Sequence, residues 1–318
     1  MKNIIFKIDG GIGKSIMATA VCEAIKKQYP NDKLIVITAY PDVFLCNPNV
    51  DKCYTHNNLF YFYQDFVENK SIRAFLHDPY FETSFIKREC HLIETWCSMF
   101  SVKYNGEQPK IYLTDREINF YANQFASDKP IFLMQTNGGG ADQGIKYSWS
   151  RDISQITAQK IANRYASAGF NVVHIRREDQ LPLQNTTPVT SDFRAIATLI
   201  KLSSVRLFMD SFAQHVAAAL DLPSTVLWIA NTPEQFGYSF NTNILANPET
   251  ASPELKNSVF AKYNIAGGLL EFPYNSESEI FDIEKVFKAI DEFVYPEPQQ
   301  FEEIESDEVK PKRKLISK

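Results

Sequence analysis

Short apolar stretches of strand character alternate with segments of helical periodicity, and this alternation constrains the fold more than any other feature of the sequence. Asn3–Ile8 is an apolar run rich in β-branched residues, Ser15–Lys27 has apolar residues at helical spacing, and Lys33–Thr38 is a second apolar run. A strand, a connecting helix and a further strand predict a parallel pair with a right-handed crossover. The amino-terminal region is therefore predicted to be α/β.

The same alternation begins again after Pro130. It predicts four further strands, at Ile131–Gln135, Asn171–Ile175, Val205–Asp210 and Thr225–Ile229. Helices are predicted at Ile153–Ala168, Asp192–Leu202, Phe212–Leu220 and Ile280–Val294. Between the two alternations, the sequence predicts strands at Lys52–Thr55 and Lys110–Leu113 and helices at His91–Met99 and Thr114–Phe125. Repeated strand–helix units of this kind predict a parallel sheet with helices on both faces.

The restart of the pattern divides the chain. Its 318 residues are enough for about two domains. We predict a Rossmann-like amino-terminal domain at residues 1–128 and a second such domain at 129–295. Residues 296–318 contain a run of acidic residues followed by basic ones, which predicts a disordered, solvated tail, with partner binding as the alternative.

Charge and cysteine content exclude several classes of protein. The net charge of −5 provides no basic excess for a nucleic-acid backbone, so we expect no nucleic-acid partner. The five cysteines include no closely spaced pair, which predicts neither a disulfide framework nor a zinc site. No apolar stretch reaches the roughly 18 residues of a membrane-spanning helix. We therefore expect a cytoplasmic protein without a transmembrane segment.

The first candidate site is the turn from Asp9 to Ser15. Glycines at positions 10, 11 and 13, written Gly10, Gly11 and Gly13, permit a ligand to approach the backbone closely, and the start of the following helix favours an anion. Lys14 opposes the helix dipole in the first turn, and a nearby anion would remove that conflict. The alternative is a tight structural turn with the Lys14 side chain directed outward.

The letters GGIGKS in this turn are also similar to a phosphate-binding loop. The consensus GxxxxGK[ST] would require glycine at Ile8, and the variant KGGxGK[ST] has lysine where this chain has Asp9. No aspartate ends an apolar strand where a second nucleotide-binding motif is expected. A P-loop ATPase using Gly10–Ser15 is therefore an alternative that this motif alone supports weakly.

The second candidate site lies in the segment VRLFMDSFAQHVAAA. Asp210 ends a predicted buried strand, Ser211 suits the cap of the next helix, and His215 lies near the start of that helix. A strand-end carboxylate, a hydroxyl and a helix N-terminus suit a diphosphate or a sugar. The alternative is an ordinary Asp-Ser cap with a histidine packed against the neighbouring strand.

The order of these segments resembles glycosyltransferase family 9, the lipopolysaccharide heptosyltransferases. The similarity covers roughly residues 2–240. It rests on the glycine turn and its helix, on Lys146 and Trp149 after the glycine-rich segment Asn137–Gly140, and on the segment around Asp210. The matching positions are Tyr29-Pro30, Asn47-Pro48-Asn49-Val50-Asp51, His91–Phe100, Lys146 and Trp149, and Asp210, Ser211, His215, Ala217–Leu220 and Pro223.

This resemblance implies a GT-B fold, in which two Rossmann-like doubly wound domains face a cleft. It implies an inverting transfer of a heptose-like or other hexose sugar from a nucleotide-diphosphate donor to a glycan or lipid-linked acceptor. No metal and no cofactor are expected. By resemblance, the second domain binds the donor through Asp210, Ser211 and His215, and phosphate charge is neutralised by Lys146 with Asn137 and the Gly138–Gly140 backbone.

Two positions depart from the family pattern. The family has an aspartate, proposed as the general base, directly after the turn glycine, whereas this chain has Lys14. Phe212 replaces the glycine that follows Asp-Ser/Thr. Asp9 is then the nearest carboxylate that can serve as a base, and Lys14 is expected to contact an anionic acceptor. A catalytically inactive GT-B protein that binds sugar nucleotides or glycans is the alternative.

Overall fold

A computed structural model of the protein describes residues 2–138, 147–250, 272 and 274–295. Their strands form two separate parallel sheets, one built from residues 3–75 and the other from residues 131–245. The predicted α/β class with two parallel sheets is confirmed. The domain boundary at residue 128 stays a prediction, and the predicted tail at 296–318 lies outside the described residues.

The first sheet has four strands. They are β1 Asn3–Ile8, β2 Lys33–Thr38, β3 Lys52–Thr55 and β4 Ile72–Phe75. Their spatial order is β3-β2-β1-β4, and every pair is parallel. The order therefore reverses between β1 and β4. In doubly wound sheets, ligands bind at the carboxyl ends of the strands beside such a reversal.

The second sheet has six strands, all parallel. They are β5 Ile131–Gln135, β6 Asn171–Ile175, β7 Thr187–Val189, β8 Val205–Met209, β9 Thr225–Trp228 and β10 Thr242–Leu245. Their order β10-β9-β8-β5-β6-β7 is that of the dinucleotide-binding fold, with the reversal between β5 and β8.

Longer helices connect and cover the strands. They are α1 Ile12–Gln28, α2 Leu92–Met99, α3 Asp115–Gln124, α4 Gln155–Ser167, α5 Phe193–Leu202, α6 Phe212–Ala219 and α7 Ile283–Val294. Single turns of helix occur at Pro41–Phe44, Tyr63–Val67, Pro79–Phe81, Thr83–Ile86, Pro233–Phe236, Pro248–Thr250 and Glu277–Glu279. α1 is buried over nearly its whole length because it packs against both the first sheet and α6.

The structure corrects the prediction of a strand at Lys110–Leu113. This segment is an extended connection whose amides bond outside both sheets. The Ile111 amide donates to the carbonyl of Ala219 at 3.3 Å, and the Lys110 amide donates to Thr19 Oγ1 at 2.9 Å. Its apolar residues pack between helices α1 and α6, which explains why its pattern resembles that of a strand.

Three strands were not predicted, namely β4, β7 and β10. All three lie at sheet edges and have three or four residues, so their sequences carry little of the continuous apolar signal of buried strands. β4 also lies in an aromatic-rich stretch, residues 58–90, for which no individual strand or helix was predicted. The remaining predicted strands and helices are present within three residues of their expected ends.

One hydrophobic core joins the two sheets. It includes Ile16 and Val21 of α1 and Trp96 of α2, together with Val216 of α6 and Trp228 of β9. All five side chains are fully or almost fully buried. A second core lies between the second sheet and helices α4 and α7. The two sheets are therefore packed together through α1 and α6.

The buried side chain of Arg194 links helix α5, which covers the second sheet, to helix α3. Arg194 of α5 donates from Nε to Glu117 Oε1 at 2.7 Å, from Nη2 to Glu117 Oε2 at 2.9 Å and to the Tyr112 carbonyl at 2.6 Å. Glu117 also closes a capping box with Thr114 at the start of α3. The hydrogen bond from Arg194 is the main cause that lowers the pKa of Glu117 to about 2.

Replacing Glu117 with Gln is expected to lower the free energy of unfolding at pH 7 by about 2 kcal/mol. A carboxylate whose pKa is lowered by folding stabilises the protein above its unfolded pKa of about 4.3, and this stabilisation is lost as the pH falls through 2. Glu117→Gln should therefore unfold with less pH dependence than the wild type between about pH 5 and pH 2. Urea unfolding at several pH values measures this, with Glu284→Gln on the exposed face of α7 as the control. Parallel pH profiles for Glu117→Gln and wild type would contradict it.

Candidate functional site

Both predicted sites lie at the strand ends where the sheet orders reverse. Asp9 follows β1 and Asp210 follows β8, and helices α1 and α6 start directly after them. The first turns of these helices touch. A Cβ atom on Gly13 would stand 3.0 Å from Cδ2 of His215 and 3.8 Å from Cα of Phe212. Two helix N-termini, each with a partial positive charge, thus lie side by side, and both favour an anion bound next to them.

Lys14 is directed inward. Its side chain is only 3% exposed, and Nζ lies 2.5 Å from Asp78 Oδ2 and 4.2 Å from the centre of the Tyr80 ring. Burial lowers the pKa of Lys14, and Asp78 acts in the opposite direction. The Asp78 carboxylate therefore resolves the conflict between Lys14 and the helix dipole without an external anion. This geometry also disfavours the P-loop interpretation, in which the lysine reaches a bound phosphate.

Two carboxylates flank the turn at the first sheet. Asp9 is about half exposed, and Oδ2 lies 2.8 Å from Lys7 Nζ while Oδ1 lies 3.7 Å from His56 Nε2. Asp78 follows β4, is 29% exposed and accepts a hydrogen bond from the Tyr80 amide at 3.0 Å. Sequence reasoning identified Asp9 but not Asp78, because β4 was not recognised and its carboxyl end could not be placed.

The glycines of this turn serve different purposes. Gly10 has φ of +100°, a conformation that side chains strongly disfavour, so the turn requires glycine there. Gly11 precedes α1 with extended backbone and has free space around its Cα. Gly13 permits the contact between α1 and α6. The sequence predicted that a ligand approaches the backbone at Gly13. In the structure, His215 from the second half of the chain occupies that space.

Asp210 lies at the centre of a polar cluster after β8. Its side chain is only 8% exposed, and Oδ2 accepts from Asn231 Nδ2 and lies 3.3 Å from Arg151 Nη2. The same Nη2 donates to the Asp210 carbonyl at 3.0 Å. Ser211 occupies the cap position of α6, but its Oγ donates to Gln135 Oε1 at 2.7 Å and makes no cap hydrogen bond. The simple Asp-Ser cap considered from the sequence is therefore absent.

Arg151, which was not predicted as a site residue, supplies the positive charge of this cluster. Its side chain is 39% exposed, while Nε is buried without a hydrogen-bond partner among the described residues. Gly138 lies under it, because a Cβ on Gly138 would stand 2.8 Å from Arg151 Cβ. Asp152 holds the loop by accepting the Gly138 amide at 2.7 Å and the Ser148 amide at 2.7 Å. The guanidinium thus lies at the β5–β8 reversal with donor capacity left over.

The other residues predicted to bind the donor are Asn137, Lys146, His215 and the glycines of the loop after β5. Asn137 is the second residue after β5 and accepts a hydrogen bond from Thr136 Oγ1 at 2.9 Å. Lys146 and the glycines at positions 139 and 140 lie outside the described residues. His215 is almost fully buried, with Nδ1 2.8 Å from the Tyr238 hydroxyl, and burial lowers its pKa to about 3. It is therefore neutral at neutral pH and packs at the junction of α1 and α6.

The described residues contain no group of three or more histidine, cysteine, aspartate or glutamate side chains placed to hold a metal ion. Within that same part of the chain, none of the helices combines the length and apolar character needed to cross a lipid bilayer.

No protein-family model and no curated protein matches the sequence. Solved structures do match. A glycosyl transferase family 9 protein from Veillonella parvula DSM 2008 superposes with a TM-score of 0.65 at 15% identity, covering 92% of this chain and 97% of its own. E. coli ADP-heptose lps heptosyltransferase II gives a TM-score of 0.60 at 12% identity over 91% and 98%. E. coli heptosyltransferase WaaC with ADP gives 0.57 at 9% identity over 92% and 99%.

These similarities extend over nearly the whole length of each partner, so the shared feature is the complete two-sheet architecture. At such low identity they establish the fold alone. The chain has the GT-B fold of the heptosyltransferases of glycosyltransferase family 9, and the fold expected from the sequence resemblance is confirmed.

Proposed function

We propose that the protein is a glycosyltransferase that transfers a sugar from a nucleotide-diphosphate donor. The observation that carries this proposal is the meeting of the α1 and α6 N-termini beside the guanidinium of Arg151, which is 39% exposed although it pairs with Asp210. Helix N-termini and arginine forks both bind phosphate oxygens. The site thus offers a diphosphate several donors at the strand reversal, where GT-B and other doubly wound folds hold nucleotides.

The second sheet supplies the donor side in this proposal. Arg151 and the amides at the start of α6, beginning after Ser211, bind the diphosphate, and by the sequence resemblance Asn137 and Lys146 add to them. Asp210 orients Arg151 and Asn231. His215 supports α6 from within. As the glycosidic bond to the diphosphate breaks, the negative charge on the leaving group grows, and these fixed donors stabilise it without a metal.

The first sheet supplies the acceptor side. Inversion at the anomeric carbon requires the acceptor hydroxyl to attack from the face opposite the leaving group, and a carboxylate takes up its proton. We propose Asp9 for this role, because it is the more exposed of the two carboxylates that follow β1 and β4. Lys14 holds Asp78 and the turn rather than contacting the acceptor.

The fold relatives suggest the donor class. One is named for ADP-heptose and another was solved with ADP. We therefore propose an ADP-linked heptose or hexose as the first donor to test, with a glycan or a lipid-linked glycan as acceptor.

Thermal unfolding in the presence of nucleotides tests this function. A ligand that binds only the folded protein stabilises it by about 2.7 kcal/mol at a hundredfold excess over its dissociation constant. We expect ADP and an ADP-sugar to raise the melting temperature without magnesium, and we expect UDP, GDP and CDP to have smaller effects.

The same assay separates the alternatives. Stabilisation by the sugar nucleotide without any release of ADP, even with acceptor present, would identify an inactive binding protein. Stabilisation by magnesium ATP alone, with phosphate release, would identify an ATPase and overturn the proposal.

A further inference from the structure

The loop between β3 and β4 exposes an unusual set of aromatic rings. Phe60, Tyr61 and Tyr63 are 75%, 73% and 63% exposed, and Leu59 beside them is 40% exposed. Aromatic side chains with this much area are normally buried, and a contiguous exposed group marks a binding surface. We call residues 57–64 the aromatic loop.

The loop is held in place from below. The rings of Phe62 and Phe66 pack against Tyr54 of β3, with centroid distances of 5.6 and 6.1 Å. The outward position of Phe60, Tyr61 and Tyr63 is therefore fixed by the packing of their neighbours. Tyr61 has φ of +58°, a left-handed conformation that is costly for an aromatic residue and that concentrates at functional sites.

The aromatic loop begins at the acceptor-side edge of the first sheet. Thr55 ends β3, and the next residue, His56, lies 3.7 Å from the Asp9 carboxylate. Beyond the loop, the carbonyl of Phe66 accepts a hydrogen bond from the side chain of Asn3, which begins β1. The aromatic loop thus starts beside Asp9 and runs along the first sheet toward the amino end of β1.

The polar residues among the rings indicate the chemistry of the ligand. Asn57, Asn58 and Gln64 are exposed within the loop, and residues 53–69 include no lysine or arginine. Asp65 and Glu68 make the segment acidic. A surface for anionic lipid would have basic residues among its aromatic ones. Flat rings interspersed with amides match the apolar faces and hydroxyls of a sugar chain.

We propose that the aromatic loop binds the acceptor glycan by stacking sugar rings on Phe60 and Tyr61, with the amides of Asn57 and Asn58 contacting its hydroxyls. The claim that the bound glycan is the acceptor rests on the proposed function, whereas glycan binding itself does not require catalysis. The acceptor is then a sugar chain several units long that is recognised through its sugar residues. Its reacting end lies toward Asp9.

The test measures binding of the full chain to short oligosaccharides of glucose, galactose and N-acetylglucosamine, in α and β linkage, by saturation-transfer NMR and titration. We expect the F60A/Y61A double variant to bind its best oligosaccharide at least about tenfold more weakly than wild type. The matched control is Phe120→Ala, which removes a ring of 60% exposure from α3. It should bind like wild type.

Each other result overturns the proposal. These are binding to none of the oligosaccharides, binding that the double variant retains, and sedimentation with phosphatidylcholine or phosphatidylcholine–phosphatidylglycerol vesicles that depends on the two rings. Stabilisation by ADP-sugar is measured on the same samples. If it persists in the double variant while glycan binding is lost, the donor site is intact; if wild type lacks it but binds glycan, only the proposed transfer fails.

Discussion

Lys14→Ala is expected to lower the free energy of unfolding by about 3 kcal/mol. The substitution leaves the partly buried Asp78 carboxylate without its partner and removes the cation from the face of Tyr80. Removing one member of a buried pair costs more than the pair itself contributes, because the remaining charge stays desolvated. Urea unfolding of both proteins measures the difference.

The chain offers a matched control in Lys7→Ala. Lys7 and Asp9 form a pair in which both side chains are more than 40% exposed, so this substitution should change stability by less than about 1 kcal/mol. The double variant K14M/D78N should recover part of the loss, since it removes both charges. If Lys14→Ala unfolded like wild type yet lost ATP hydrolysis, Lys14 would be a phosphate-binding lysine and the interpretation of this turn would be wrong.

Arg151→Met is expected to slow sugar transfer about a hundredfold. The guanidinium donates to the Asp210 carbonyl and is 39% exposed at the β5–β8 reversal, so it is placed to stabilise charge that develops on the leaving diphosphate. Interactions that strengthen in the transition state affect the rate more than ground-state binding. Donor affinity should therefore fall less, by about tenfold. Initial rates and calorimetric titration with ADP-sugar separate the two effects.

Two further variants define the cause. Arg151→Lys keeps the charge but not the planar fork, and it should restore only part of the rate. Arg164→Met removes a guanidinium that contacts Asp291 and the Phe287 ring, away from the β5–β8 reversal, and should leave transfer unchanged. Equal rates for Arg151→Met and wild type would exclude Arg151 from the reaction.

Local signals located the two strand ends that carry the candidate sites. A buried parallel strand is a continuous apolar run, so its carboxyl end can be located to within a residue, and Asp9 and Asp210 follow from that. Gly10 is likewise a local requirement, since its positive φ is set by the turn itself. The resemblance in segment order then predicted the GT-B fold, although the chain is only 9–15% identical to the solved structures that share it.

The partners of these residues could not be predicted. Asp78 lies 64 positions from Lys14, and Arg151 lies 59 positions from Asp210. Each pairing depends on which strands are neighbours, and β4 was too short to be recognised among the surrounding aromatic residues. Lys14 was therefore expected to bind an external anion, whereas in the structure it pairs with the Asp78 carboxylate.

The core shared by the two sheets has a consequence for biosynthesis. The amino-terminal half leaves the ribosome first, yet α1 buries one side against α6, and Trp96 shares its core with Trp228 and Phe236. Those apolar surfaces stay uncovered until more than a hundred further residues, on the order of ten seconds of translation, have been added. The nascent first half is thus exposed to chaperones for that period, and its final packing is completed only after the second half has been synthesised.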